Sequence, residues 1–113
     1  HIDFAGGITE ALQRVQSYLQ SNKLDLQIEV ETRKLTDIEK ALSTGIPNRI
    51  MFDNFTVNDT IEAVRIVDGK VETESSGGIT ESNIIQYAET GVDYISVGAL
   101  THQIESLDMS LVI

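Results

Sequence analysis

The chain contains no cysteine, so disulfides and thiolate metal sites are unavailable, which fits a reducing cytosol. No apolar run approaches the roughly 18 to 20 residues that span a bilayer. The opening His1-Ile2-Asp3 is neither basic nor followed by an apolar block, so no signal peptide is expected. Nor is it a methionine start, and a preceding segment is expected. Linkers, low-complexity tracts and blocks of like charge are absent. No Ser-His-Asp spacing supports a nucleophile, and the two histidines form no metal motif. Cations are scarce: eight Lys and Arg stand against eighteen Asp and Glu, a formal net charge of -10. Such a surface repels nucleic acid and anionic membranes at long range, so neither is expected as a partner. A local phosphate site is still open to it, because backbone N–H groups can supply one.

What is present is an ordinary globular composition. The 113 residues are 41% hydrophobic and 23% charged, enough for one domain with a real core. Four β-like runs stand out at 26–31, 49–53, 70–75 and 94–98. Their midpoints recur roughly every 22 to 23 residues, the length of a compact βα unit.

Helical patterns fill the intervals. Ile8, Leu12, Val15 and Leu19 share one face at i, i+4, i+7 and i+11. Thr36-Asp37-Ile38-Glu39 reads as a capping box, with Ile38, Ala41 and Leu42 inward and stop signals at Gly45 and Pro47. After Asn58, Ile61, Val64 and Val67 turn to one side up to Gly69. After Thr80, Ile84, Ile85 and Ala88 do the same up to Gly91, and a last turn is expected over 101–106. The order αβαβαβαβ implies a parallel sheet with helices, joined by right-handed crossovers. The fold class is therefore α/β: consecutive βα units with parallel strands, an open sheet or half of a barrel. Half a barrel would leave two raw sheet edges, so the chain reads as part of something larger.

Ligands in parallel α/β proteins bind at the carboxyl ends of the strands. Those ends carry Glu29 and Glu31, then Asp53-Asn54, then Glu74-Ser75-Ser76, then Gly98. Glu29 and Asp53 are 24 residues apart and Asp53 and Glu74 are 21 apart, so the three carboxylates are expected near one another at one mouth. Together they would hold sugar hydroxyls, a metal ion or a cationic side chain. Gly6-Gly7-Ile8-Thr9-Glu10 recurs as Gly77-Gly78-Ile79-Thr80-Glu81, each expected to open a helix. Ser76-Gly77-Gly78 is either a tight turn or a phosphate cradle at a helix N-terminus. With the Gly98 turn in the adjacent unit it forms a pair of the kind that binds phosphate in barrels. His102 either faces that anion or caps the last helix.

These tracts resemble a known family. Ala5-Gly6-Gly7-Ile8, Ile28-Glu29-Val30-Glu31-Thr32, Phe52-Asp53-Asn54-Phe55 and Glu74-Ser75-Ser76-Gly77-Gly78-Ile79-Thr80 are similar in order to the C-terminal part of quinolinate phosphoribosyltransferase. So are the tract from Thr90 to His102 and the ending Leu107-Asp108-Met109-Ser110-Leu111. The resemblance implies that residues 1–113 are the C-terminal portion of an incomplete TIM-like α/β barrel, with an N-terminal domain and the first barrel strands upstream. It implies phosphoribosyl transfer from phosphoribosyl pyrophosphate to quinolinate with decarboxylation, giving nicotinate mononucleotide, carbon dioxide and pyrophosphate in NAD biosynthesis. The implied cofactor is magnesium carried with phosphoribosyl pyrophosphate, in a cytoplasmic homodimer or higher oligomer. Glu29 and Asp53 would be catalytic, Asp53 also meeting the magnesium. Ser76, Gly77, Gly78, Gly98, His102 and Glu74 would bind substrate and phosphate.

The basic residues for quinolinate and pyrophosphate lie upstream in that family, so this chain alone is expected to be inactive. A non-catalytic half barrel that self-associates and binds phosphate is the alternative. Another phosphosugar barrel enzyme is a third reading, and the series Glu29, Asp53 and Glu74 argues against it.

Overall fold

The computed structural model describes residues 7–97, 100–101 and 109–112, the last two segments through their backbone. In chain order it contains α1 (Ile8–Ser21), β1 (Ile28–Thr32), α2 (Leu35–Thr44), β2 (Arg49–Asp53) and α3 (Val57–Val67). There follow β3 (Glu72–Ser76), α4 (Ile84–Ala88), β4 (Tyr94–Val97), β5 (Leu100–Thr101) and β6 (Met109–Val112). The sheet runs β5-β4-β3-β2-β1-β6. Strands β1 to β4 are parallel neighbours, as the repeated βα spacing predicts.

The two sheet edges differ from expectation. β6 pairs in parallel with β1, Val30 opposite Leu111, and β5 pairs antiparallel with β4. One raw edge of the four-stranded sheet is thus covered by the chain's own last strand, which satisfies backbone groups that would otherwise offer a template for association. Thr101 belongs to β5; the rest of the turn expected over 101–106 lies outside the described residues.

Register and pleat divide the sheet into two faces, because successive side chains point to opposite sides. Val30, Ile50 and Thr73 form one row, and Thr32, Phe52, Ser75 and Ile95 the next. Here Val30, Ile50 and Phe52 meet Ile8, Leu12, Val15 and Leu19 of α1, Ile38 and Ala41 of α2, and Ala63 and Val67 of α3 in one apolar core. The α1 stripe read from the sequence is buried as expected.

Ile38, Ala41 and Leu42 of α2 and Val64 and Val67 of α3 pack inward as expected, but three helices depart from the reading in other respects. Lys34, extended at the start of α2, supplies no side-chain cap, and Thr36 sits inside the helix. The reach-back belongs to Asp37, whose Oδ2 accepts the Arg33 N–H at 3.4 Å. α3 starts at Val57, where the Thr56 hydroxyl accepts the Asp59 N–H. Its buried stripe is therefore Thr60, Ala63 and Val67, and Ile61 lies 50% exposed. α4 is a short helix anchored by Tyr87, whose hydroxyl donates to the Phe55 carbonyl at 2.6 Å, while Ile85 is exposed. A buried tyrosine needs a partner for its O–H, and that need sets the rotation of α4. The repeated Gly-Gly-Ile-Thr-Glu also diverges: α1 opens directly after Gly7, but α4 opens at Ile84, well beyond Gly78.

Candidate functional site

The second face of the sheet is polar. Glu29, Arg49 and Glu72 form one row, and Glu31, Met51, Glu74 and Tyr94 the next. Asp53 and Ser76 pair at the carboxyl ends of β2 and β3. The three carboxylates expected at one level therefore stand at successive levels. Glu29 is deepest and only 4% exposed, Glu74 is 1% exposed, and Asp53 is at the mouth. The spacings of 24 and 21 residues counted βα units correctly but could not report the strand register.

Arg49 carries this face, and the sequence reading passed over it as the first residue of a strand. Its guanidinium is fully buried, with Nη1 3.4 Å from Glu74 Oε1 and Nη2 3.5 Å from Glu72 Oε1. The same group lies 3.8 Å above the Tyr94 ring centroid. Tyr94 O–H donates to Glu72 at 2.7 Å and Ser96 O–H to Glu74 at 2.9 Å. A buried carboxylate persists only when paired and hydrogen-bonded, and Glu74 meets both conditions. The available signal was the alternation of Arg49, Met51 and Asp53, which places a cation four residues before the mouth acid on the same side.

At the mouth, Asp53 stands between two elements. Its Oδ2 is 3.8 Å from Arg33 Nε. A Cβ on Gly77 would lie 3.2 Å from Asp53 Oδ1 and 3.1 Å from the Asn54 nitrogen. Gly77 has φ 83° and Gly78 φ 70°, conformations that favour glycine, so both φ and close approach require glycine at 77. Asn54, itself left-handed at φ 61°, donates its N–H to the Ser76 carbonyl at 2.7 Å. The turns after β2 and β3 are thereby clamped together. Beyond Gly78, the Thr80 N–H donates to Asn83 Oδ1 at 2.8 Å, and Asn83 Nδ2 donates to the Gly78 carbonyl at 3.0 Å. This is a closed turn, and the Gly77-Gly78 amides do not sit at the first turn of α4.

Glu31 is the carboxyl group that reaches Asp53. Its pKa is raised from the ordinary value, first by burial, then by the charge of Asp53 and a hydrogen bond to it, against the opposing charge of Arg33. A carboxyl beside a carboxylate in partial burial favours the protonated form. Next to this pair, a groove of about 400 Å³ opens between the β1–α2 and β2–α3 turns, lined among others by Arg33, Lys34, Thr36, Asn54, Thr56 and Asp59. Gly98 and His102 lie outside the described residues. Among the described residues, no group of three or more acidic or histidine side chains is arranged to hold a metal ion. No helix among them is long and apolar enough to cross a membrane.

Comparison with known proteins converges on one family. The profile for quinolinate phosphoribosyl transferase, C-terminal domain, matches residues 1–112. A tobacco (Nicotiana tabacum) protein, quinolinate phosphoribosyltransferase [decarboxylating] 1b, is 42% identical over 98% of this chain and 36% of its own length. The rice (Oryza sativa subsp. japonica) protein named nicotinate-nucleotide pyrophosphorylase [carboxylating], chloroplastic, is 43% identical over 98% of this chain and 34% of its own. The solved structure of nicotinate-nucleotide pyrophosphorylase from Ehrlichia chaffeensis superposes with a TM-score of 0.73 at 34% identity, covering 91% of this chain and 36% of that one. The chain thus spans about a third of the length of the curated relatives it matches.

Proposed function

This chain belongs to the quinolinate phosphoribosyltransferase family, and we propose on that footing that the whole protein is a pentosyltransferase joining quinolinate to phosphoribosyl pyrophosphate. Its fold, consecutive parallel βα units of a TIM-like barrel, is that of the family's solved structures. In the proposed reaction the ring nitrogen of quinolinate attacks the anomeric carbon. The bond from that carbon to the pyrophosphate oxygen breaks, and its electron pair leaves with pyrophosphate. The alkylated ring then accepts the electron pair of the carbon–carboxylate bond as carbon dioxide departs, and a proton replaces it. Positioning and charge stabilisation carry such a displacement.

The observation that carries the reading is the meeting of Asp53 with the Ser76-Gly77 turn at the ends of adjacent parallel strands. Asp53 takes the ribose hydroxyls and Glu29 the deeper part of the same face. Ser76, Gly77, Gly78, Gly98 and His102 take the phosphate, and Glu74, held by Arg49 and Ser96, fixes the floor. Magnesium suits this donor set: it commonly binds through one or two carboxylates together with substrate phosphates, and Asp53 is a mouth carboxylate of that kind. When bound, the ion neutralises charge on the departing pyrophosphate.

Residues 1–113 would be the C-terminal portion of the barrel domain and inactive alone, the basic substrate contacts lying upstream of them. A homodimer or higher oligomer and a cytoplasmic setting complete the proposal; the rice relative is named chloroplastic, so cell fractionation decides the compartment. The test is pyrophosphate release by the full-length protein given both substrates and magnesium. Release that drops at least a hundredfold in Asp53→Asn supports the reading, and no release from the unaltered protein sinks it.

A further inference from the structure

The groove beside Asp53 has no role in the reaction just described, and its lining has a chemistry of its own. In a chain of net charge -10, two of the eight cations, Arg33 and Lys34, are neighbours at its rim. Its volume of about 400 Å³ suits a multi-atom ligand, within the range of small-molecule sites. No side chain caps the ten-residue α2 that begins at Leu35 on its wall; the Asp37 N–H donates to the Lys34 carbonyl at 3.1 Å, which leaves the Leu35 and Thr36 N–H groups for solvent or ligand. The Thr56 hydroxyl oxygen accepts the Asp59 N–H, which leaves its own proton free to donate. The carboxyl groups near these cations are Asp53, Glu31, Asp59 and Asp37; Glu31 feels the charge of Arg33, and Asp37 already accepts the Arg33 N–H.

Arg33 is the movable part. Its contact to Asp53 is single, 3.8 Å long, and made by a side chain 62% exposed. Exposed pairs of this kind contribute little and exchange readily. A phosphate group can instead take a guanidinium through two parallel N–H contacts, a stronger arrangement.

We propose that the Arg33–Lys34 groove is a separate binding subsite for a compact polyanion of the pyrophosphate class, which competes with Asp53 for Arg33. The subsite lies across Asp53 from the Gly77 turn, since one Asp53 oxygen faces Arg33 and the other faces Gly77. Occupancy withdraws the guanidinium from Asp53 and leaves that carboxylate more able to attract a cation. The proposal stands on the groove and shares only Asp53 with the catalytic reading.

The test is titration of inorganic pyrophosphate into the 113-residue chain near 150 mM salt, followed by amide NMR, with inorganic phosphate in parallel. The acidic field of the whole chain opposes binding, so a saturable shift reports a local site. The expected result is saturable movement of the Leu35, Thr36 and Asn54 amides, weakened about tenfold or more in Arg33→Gln/Lys34→Gln. That loss follows from removing two charge-assisted contacts. Arg33→Lys should recover part of it, and pyrophosphate should bind more tightly than phosphate. Both variants alter exposed side chains and keep the dispersed spectrum of the fold. Unmoved amides at 35, 36 and 54, or equal binding by the double variant, mean an adventitious ion only and overturn the proposal. Shifts confined to Gly77 and Gly78 overturn it too, while leaving the proposed transfer reaction standing. Conversely, a full-length protein without transferase activity but with the Leu35 and Thr36 shifts refutes the reaction and keeps the subsite.

Discussion

The two faces of this sheet are built from alternate residues of the same strands, yet they are held by opposite means. On one, Val30, Ile50 and Phe52 are buried against three helices, and non-directional burial of apolar surface stabilises them. On the other, Arg49, Glu72 and Glu74 are buried or half-buried charges beside the buried Glu29, and each of the three depends on a named partner at a named distance. The apolar face tolerates small changes in shape. The polar face does not tolerate the loss of a partner, because desolvation of a lone charge outweighs what any single contact returns.

The most disruptive test of that contrast is Arg49→Met, which leaves Glu74 buried without its guanidinium. It should cost about 3–5 kcal/mol in urea denaturation, and Arg49→Met/Glu72→Gln/Glu74→Gln should recover most of the loss. A single variant as stable as wild type would show that the polar face is not held by pairing. At the mouth, where the faces end, Gly77→Ala should cost roughly 1–2 kcal/mol from its left-handed backbone alone. Further loss should come from the 3.1 Å approach to the Asn54 nitrogen, and thermal melting reads the sum. Ile50→Val on the apolar face should cost only about 0.5–1.5 kcal/mol, well below Arg49→Met although the two residues are adjacent.

The smallest effect concerns pH. Folding raises the pKa of Glu31 above its ordinary 4.5. Its contribution to stability is therefore fully present below that value and lost as pH rises through the folded value. Glu31→Gln, neutral throughout, should match wild type in acid and exceed it slightly at neutral pH. Urea midpoints across the acid range check this, and a variant weaker than wild type at neutral pH contradicts it.

Much of this was readable beforehand. The four parallel strands and the α1 stripe followed from spacing and periodicity, since each βα unit repeats a local solution to the same burial problem. The rotation of α4 was misread because the Tyr87–Phe55 bond decides it, and α3 turns Val64 and Val67 inward as expected but not Ile61, because the Thr56 cap starts that helix before Asn58. Neither interaction has a sequence period. The site was legible as a set of residue types at strand ends. Its levels were not, because a one-residue difference in pairing changes both height and face.

By itself, the order of residues determined the α/β class, the family and the acids, glycines and turns that the mouth would draw upon. Those features rest on local propensity and short spacings. Tertiary structure alone decided that β6 closes against β1, that Glu31 rather than Glu29 meets Asp53, and that Arg49 is the counter-charge of the inner face. Each depends on register between segments far apart in the chain, and register is settled only when both faces of the sheet are buried at once.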